Sequence, residues 1–476
     1  MRTLLFDGNA VHQPGFGVQL PYRVTTTADG GVEVDAEELA ALAADALTAI
    51  HGQVAEAGRR VAAVAFCTFW HSFLGVDAAG RPVTPILHLF DTRSAAQVKQ
   101  LGTMLDAARS HLRTGTVLHS SYWPAKLLWL AANRRDAVAC AARWVSPGEY
   151  IYERLFGKAA SSVSMASGSG IWDQNRNDYD PEFLEILKLR REQLAEPGEM
   201  DRPLTGLRPE FASRWPGLDG IPWFPAYGDG ACNNIGSGCI TPDRFALMVG
   251  TSGAMRTVIE RERIDVPPGL WCYRADRKRF VLGGALSNGG EVYAWMKRTL
   301  QLPGDQELEA ALGAMEPGAH GLTIVPLFAG ERSTGWRADA RAAFAGMSMH
   351  TGPVEIVRAA LESVALRFRL LYLILRERLG EPAQVVASGG ALLRSPAWTQ
   401  MMADALGGPV VTCTESEASG RGAALLVLER IGAIGDIREL PAATGRVFEP
   451  VAGRRAAYDG MLDRQQRLYH KLFEEN

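Results

Sequence analysis

Apolar positions along the chain fall into two alternating spacings. Thr3–Phe6 reads as a strand and Val32–Val34 as a short one. Asp35 then stands as an N-cap, with Glu38 placed as in a capping box, ahead of Leu39, Leu42, Ala46, Leu47 and Ile50 at helical spacing. Val61–Phe66 is apolar on both faces, which predicts a central strand. Ala95–Leu112 and Ala125–Asn133 predict helices, and the Trp-, Pro- and Gly-rich stretch Phe211–Pro225 predicts a loop.

After Asp229 the alternation restarts. Phe245–Val249 and Met255–Ile259 read as strands around the turn Gly250-Thr251-Ser252-Gly253. Val354–Leu379 is a long helix, and Gln384–Ala387 a strand with Gly389-Gly390 at its C-terminal end. Ala397–Leu406, Val410–Thr412 and Ala418–Ile431 follow as helix, strand and closing helix. The pattern predicts an α/β protein in two halves, 1–240 and 241–476.

Composition adds exclusions. At 476 residues the chain is too long for one ordinary core, and 47% hydrophobic with 22% charged residues is globular. A net charge of −3 gives no reason to expect a nucleic-acid or anionic-membrane footprint. The six cysteines form no CxxC pair and complete no metal site, so small buried side chains in a reducing cytoplasm are expected. The start, Met1–Ala10, lacks the apolar run of a signal peptide, and Val61–Trp70 is too short to span a bilayer.

Four motifs carry candidate chemistry. In Gly228-Asp229-Gly230 an accessible carboxylate could accept a proton from an attacking hydroxyl, or the triplet could be a plain turn. In Gly250-Thr251-Ser252-Gly253 backbone amides and hydroxyls could converge on an anion, or form only a hairpin. Gly389 and Gly390, off a strand end, would let a nucleotide approach the backbone, or serve a glycine-requiring turn. Trp70, His71, Asp91 and Arg93 offer an apolar platform and polar groups for a polyol, with Arg93 able to pair with a substrate carboxylate; the bland alternative is a buried Trp with a surface ion pair. Neither a Walker loop nor a Rossmann fingerprint occurs at these sites.

In this order and spacing the motifs resemble the FGGY carbohydrate kinase family. Ala342–Met347 with Glu355–Glu362 is similar to its C-terminal signature, and Gly389–Trp398 and Glu417–Ala424 to its nucleotide-side motifs. Leu118–Lys126, Ser164–Gly168, Gly250–Met255, Ser287–Gly290 and Gly330–Trp336 are most similar to its gluconate kinase-like members. The resemblance implies two actin-like (ribonuclease H-like) domains with a central cleft, sugar on the first and ATP with Mg²⁺ mainly on the second. It implies Asp229 as general base, Gly250, Thr251, Ser252 and Gly253 as a phosphate loop, Gly389 and Gly390 at the nucleotide, and Trp70, His71, Asp91 and Arg93 at a sugar or sugar acid, gluconate first, with xylulose or glycerol as alternatives. No protein metal ligands are assigned, and a homodimer is compatible with the reading.

One departure stands out. Family members begin with a strand and an Asp-x-Gly-Thr-[Ser/Thr] loop, whereas Met1 here aligns with the start of the second strand. The first strand and phosphate loop are therefore expected to be missing, leaving unpaired sheet edges. A late start codon, a shortened chain and a degenerate sugar- or nucleotide-binding protein each account for this. An actin-like assembly ATPase is a third functional class, which the polyol-type residues argue against.

Overall fold

The computed structural model describes residues 1–474. The chain opens with an antiparallel hairpin, β1 (Arg2–Phe6) and β2 (His12–Gln19), closed at its base by the Met1 amino group donating to the Leu20 carbonyl at 2.8 Å. Helix α1 (Ala36–Glu56) follows, and Asp35 caps it by accepting from the Glu38 N–H at 2.8 Å. Its buried stripe includes Leu39, Ala46 and Ile50, as the apolar spacing predicts, together with Ala43 and Val54, while Leu42 and Leu47 are only half-buried.

The segment Val61–Phe66 corrects the expectation of a central strand. Val64 donates to Pro222 O at 3.0 Å and accepts from Phe224 N at 2.9 Å, and Tyr227 N reaches Phe66 O at 2.9 Å, all on one side. Among the described residues no acceptor takes the N–H of Ala63 or Ala65 on the other side. Facing that edge, across a cavity of about 1300 Å³, lies β1, whose only strand partner among the described residues is β2. The floor of the cavity includes Leu47, Ile50 and Val54 of α1.

Two other segments depart from expectation. Ala95–Leu112 is two helices, Ala95–Met104 and Ala107–Thr114, because Asp106 accepts from the N–H groups of Ala108 and Arg109 (both 3.0 Å) and starts a new helix there. Phe211–Pro225 is not all loop: Pro209–Arg214 is helical with Pro209 at its first turn, and Trp215 and Trp223 are buried.

Helix α2 (Asp229–Gly236) leads into a seven-stranded sheet. Its strands in chain order are β3 (Arg244–Val249), β4 (Gly253–Glu260), β5 (Trp271–Arg274), β6 (Arg279–Leu286), β7 (Gln384–Ser388), β8 (Val410–Cys413) and β9 (Thr444–Phe448). Their spatial order is β5-β6-β4-β3-β7-β8-β9, with β3, β7 and β8 parallel. Helix α3 (Pro353–Leu379) packs Val357, Leu361, Phe368 and Leu371 against this sheet's core, each such buried side chain contributing about 1.5–3 kcal/mol. Helix α4 (Ala418–Arg430) lies on α2. The contact is close: a Cβ on Gly236 or Gly422 would fall 1.7 Å from Ala418 O or 1.9 Å from Cys232 O. No helix among the described residues is long and apolar enough to cross a membrane.

Candidate active site

Asp229 is the first residue of α2, so the motif is a helix start rather than a free turn. The two glycines beside it have a specific cause. The Trp70 indole lies on both, and a Cβ at Gly228 or Gly230 would come within 1.9 or 2.7 Å of it. Trp70 is buried and its N–H is spent on Ser164 O at 2.8 Å, so it forms the wall behind the carboxylate and offers no free donor. Asp229 itself lines the large cavity and is exposed to it. Surrounding protein still raises its pKa by desolvation, against the opposing pull of the Gly230 N–H (2.8 Å) and the Arg256 charge. Arg256 projects from β4, is buried, and reaches Asn233 Oδ1 at 3.4 Å.

His71 stands next to Trp70 with a left-handed backbone, φ 69°. Its Nδ1 lies 2.5 Å from the Gly168 carbonyl. A carbonyl only accepts, so Nδ1 carries the proton and Nε2 is left as an acceptor. Burial first, then the neighbouring cations Lys126 and Arg332, push this imidazole down to about 3, so it is neutral at physiological pH. Around it Trp70, Tyr122 and Tyr273 form a cage, with ring centroids 6.1, 5.0 and 5.1 Å from the imidazole and the two tyrosine hydroxyls 2.6 Å apart. Tyr122 comes from the first half of the chain and Tyr273 from β5, so both halves build this wall.

Asp91 and Arg93 are arranged differently from the expectation. The Arg93 guanidinium contacts Asp91 Oδ2 and Glu33 Oε1, both at 2.6 Å, and stacks on Trp129 at 4.4 Å. Asp91, fully buried, also accepts from Val32 N at 3.2 Å and Arg93 N at 3.1 Å. Nε and Nη2 of Arg93 are thereby occupied within the protein, and the pair ties the Val32–Val34 strand to the loop after His88. The geometry matches the bland alternative, in buried form, more closely than a carboxylate-binding role.

Ser388, Gly389 and Gly390 share the lining of this cavity with Asp229. Gly389 has φ 89°, and a Cβ there would sit 2.4 Å from Val249 O, so the crossing of β3 and β7 excludes a side chain. Val249 runs into the Gly250–Ser252 turn, whose Gly250 N donates to Ser252 O at 3.0 Å. The helix Gly290–Thr299 starts against this turn, Gly290 N donating to Gly250 O at 2.8 Å and Glu291 N to Thr251 O at 3.1 Å. No protein acceptor takes the N–H of Thr251 or Ser252 among the described residues. These amides can receive an anion, as Gly253 enters β4 behind them.

Sequence reasoning assigned no role to Arg256, Tyr122, Tyr273, His119 or Arg332. Arg256 did leave a signal, being a charge inside an otherwise apolar strand. His119 and Tyr122 lie in Leu118–Lys126 and Arg332 in Gly330–Trp336, stretches the resemblance marks out without giving any residue a role, whereas Tyr273 leaves no signal, because only the contact between the halves brings it to the site.

A profile of the FGGY family of carbohydrate kinases, N-terminal domain, matches residues 2–236, and one of its C-terminal domain matches residues 245–428. Gluconokinase of Bacillus subtilis (strain 168) is 30% identical over 391 residues, 79% of this chain and 75% of that protein. Xylulose kinase of Escherichia coli (strain K12) is 26% identical over 411 residues, 84% of this chain and 83% of that protein. The crystal structure of gluconate kinase from Lactobacillus acidophilus superposes with a TM-score of 0.91 at 26% identity, covering 100% of this chain and 96% of that one. With both domain profiles matched in order along most of its length, the chain belongs to the FGGY family of carbohydrate kinases.

Proposed function

We propose that this kinase transfers the γ-phosphoryl group of ATP to a hydroxyl of a sugar acid, gluconate being the first choice and xylulose the neutral alternative. The observation that carries the reading is that Asp229, set at a helix start against the Trp70 wall, lines one cavity with the nucleotide-side glycines Gly389 and Gly390. Asp229 accepts the proton of the attacking hydroxyl as the oxygen bonds to phosphorus and the bond to ADP breaks. Its raised pKa makes it a better base than an ordinary carboxylate, and the Arg256 charge opposes that shift. The amides of Thr251 and Ser252 are available to the phosphoryl oxygens, and Nε2 of neutral His71 can accept a hydrogen bond from a substrate hydroxyl.

Mg²⁺ is expected with the nucleotide. Among the described residues no three carboxylate, imidazole or thiolate groups gather to hold a metal, so the chain offers no cage of its own and no step is assigned to the ion. The ion would be held chiefly by the phosphates, as is usual for Mg²⁺ with nucleotides.

Coupled ADP release, measured over gluconate, D-xylulose and glycerol, tests the reading. Turnover is expected with gluconate first. Turnover with none of them, in a protein that still binds ADP, overturns it.

A further inference from the structure

Resting on the kinase reading above, we infer that Arg332, with His119 and Trp336, forms a carboxylate-recognition site that selects a sugar acid over a neutral polyol.

The loop Gly330–Trp336 is held from several sides. Asn288 Nδ2 donates to Gly330 O at 2.8 Å, and its Oδ1 accepts from Ala329 N at 2.8 Å. Glu331 is paired with Arg367 and accepts from the Tyr469 hydroxyl at 2.7 Å. Ser333 N donates to Ala285 O of β6 at 2.9 Å, and Ser333 Oγ accepts from Ala285 N at 3.1 Å. These anchors fix the direction of Arg332 between them.

Arg332 is the member of this loop left without a counterion. Its Nη2 donates to Leu286 O at 2.9 Å, and no carboxylate lies within ion-pair distance among the described residues. The titratable groups that favour its charge are the hydroxyls of Tyr122 and Tyr273, and desolvation dominates, lowering its pKa. A guanidinium withdrawn from water without an anion is costly, and the cost is offset when a ligand supplies one.

Two more groups repeat the pattern. Ser121 N–H donates to His119 Nδ1 at 3.1 Å. Burial and the charges of Arg332 and Lys126 push His119 down to about 4, so it is neutral, with its proton on Nε2 and that donor unspent. The Trp336 ring lies 5.6 Å from His119, and its buried indole N–H has no partner. Lys126, fully buried, has its pKa lowered to about 7 by burial, so it carries part of a positive charge at neutral pH; its amine donates only to the carbonyls of His88 (2.7 Å) and Ser121 (2.9 Å). The nearest acid to act on it is Asp91, whose charge is already committed to Arg93. Donors thus outnumber acceptors at this end of the cage, which is the chemistry of a carboxylate site.

Gluconate and glucitol differ at one end only, a carboxylate against a hydroxymethyl group, so they are the probes. Calorimetry on the full chain with ADP present is expected to show gluconate binding about 10²-fold tighter than glucitol. Arg332→Met should lower gluconate affinity about 10²-fold and change glucitol by no more than about 3-fold. Trp336→Phe, which keeps the ring and removes the N–H, should cost gluconate about 5-fold and glucitol nothing. Equal binding of the two probes by the unaltered chain overturns the inference, as does an equal loss of both in Arg332→Met with ADP binding intact. If Arg332→Met no longer binds ADP, it has not folded, and the unaltered chain and Trp336→Phe decide. Phosphorylation of gluconate and glucitol at equal rates and affinities would keep the kinase reading and sink this one; selective gluconate binding without phosphoryl transfer would do the reverse.

Discussion

Asp229 and Arg256 are the pair on which a pH profile turns. Asp229 must be ionised to act as base, and desolvation by the protein around the cavity raises its pKa, so activity should fall on the acid side at a higher pH than for an ordinary carboxylate. Arg256→Gln removes the charge that opposes the shift, so the acid limb of kcat/KM should move to still higher pH, with ADP affinity unchanged. Asp229→Asn should keep substrate binding and lower kcat by about 10²-fold or more. Near-normal turnover in that variant would rule the residue out. His71 behaves in the opposite sense. Its pKa is pushed down to about 3, so its ring signals in NMR should not titrate between pH 5 and 8, despite the ordinary imidazole range near pH 6.5. Arg93→Leu tests the reassignment made above. It would leave Asp91 buried and unpaired, costing about 3 kcal/mol of stability. Surviving protein should bind gluconate and glucitol with losses of equal size.

At the scale of elements, Gly389 is the sharpest test. A methyl group there meets Val249 O, and the backbone is left-handed, so Gly389→Ala should lower ADP affinity about 10-fold through displacement of the turn that follows β3. Calorimetry with ADP checks it, and an unchanged affinity would detach Gly389 from the nucleotide. After residue 240, β3, β4, β7, β8, α3 and α4 are legible in the sequence, helped in places by a glycine or proline at an end, as with Gly389 after β7 and Pro353 opening α3, whereas the apolar spacing does not mark out β5, β6, β9 or the helix Gly290–Thr299. Elements before residue 240 are less legible. Val61–Phe66 looks central because its side chains are apolar on both faces, yet side chains report burial and say nothing of whether backbone groups are paired. Asp106 interrupts a helical run with a cap that composition alone does not separate from a surface acid. In the candidate site, Asp229, Gly389 and Gly390 are readable from local glycine chemistry and from the resemblance. Asp91 and Arg93 look the same in sequence whether they face a ligand or each other, and only Glu33 and Trp129, both distant in sequence, settle where Arg93 points. Arg332 is hidden for the converse reason: what marks it is the missing counterion.

On the scale of the whole molecule, the two halves are joined by direct contacts around the site. Cys272 N donates to Gly115 O at 2.9 Å, His111 Nε2 lies 2.8 Å from Leu270 O, and Arg274 reaches Gln174 O through Nε at 2.8 Å. Their sheets are unequal. One half carries a continuous seven-stranded sheet, whereas the other presents two edges, β1 and Val61–Thr68, to an apolar-lined cavity. Such edges govern how a protein behaves in company. Bare amides above an apolar floor are a template for any extended chain, including one from a neighbouring copy that has partly opened. Arg59 and Arg60 line the same cavity and are the charged gatekeepers its sequence provides. Shelf life in concentrated solution should therefore be limited by self-association before global melting. Light scattering should rise with concentration at temperatures where circular dichroism is still native, and Ala62→Lys, which adds a charge at an exposed cavity-lining position of the open segment, should delay it; scattering that appears only after the melt would place the weakness elsewhere.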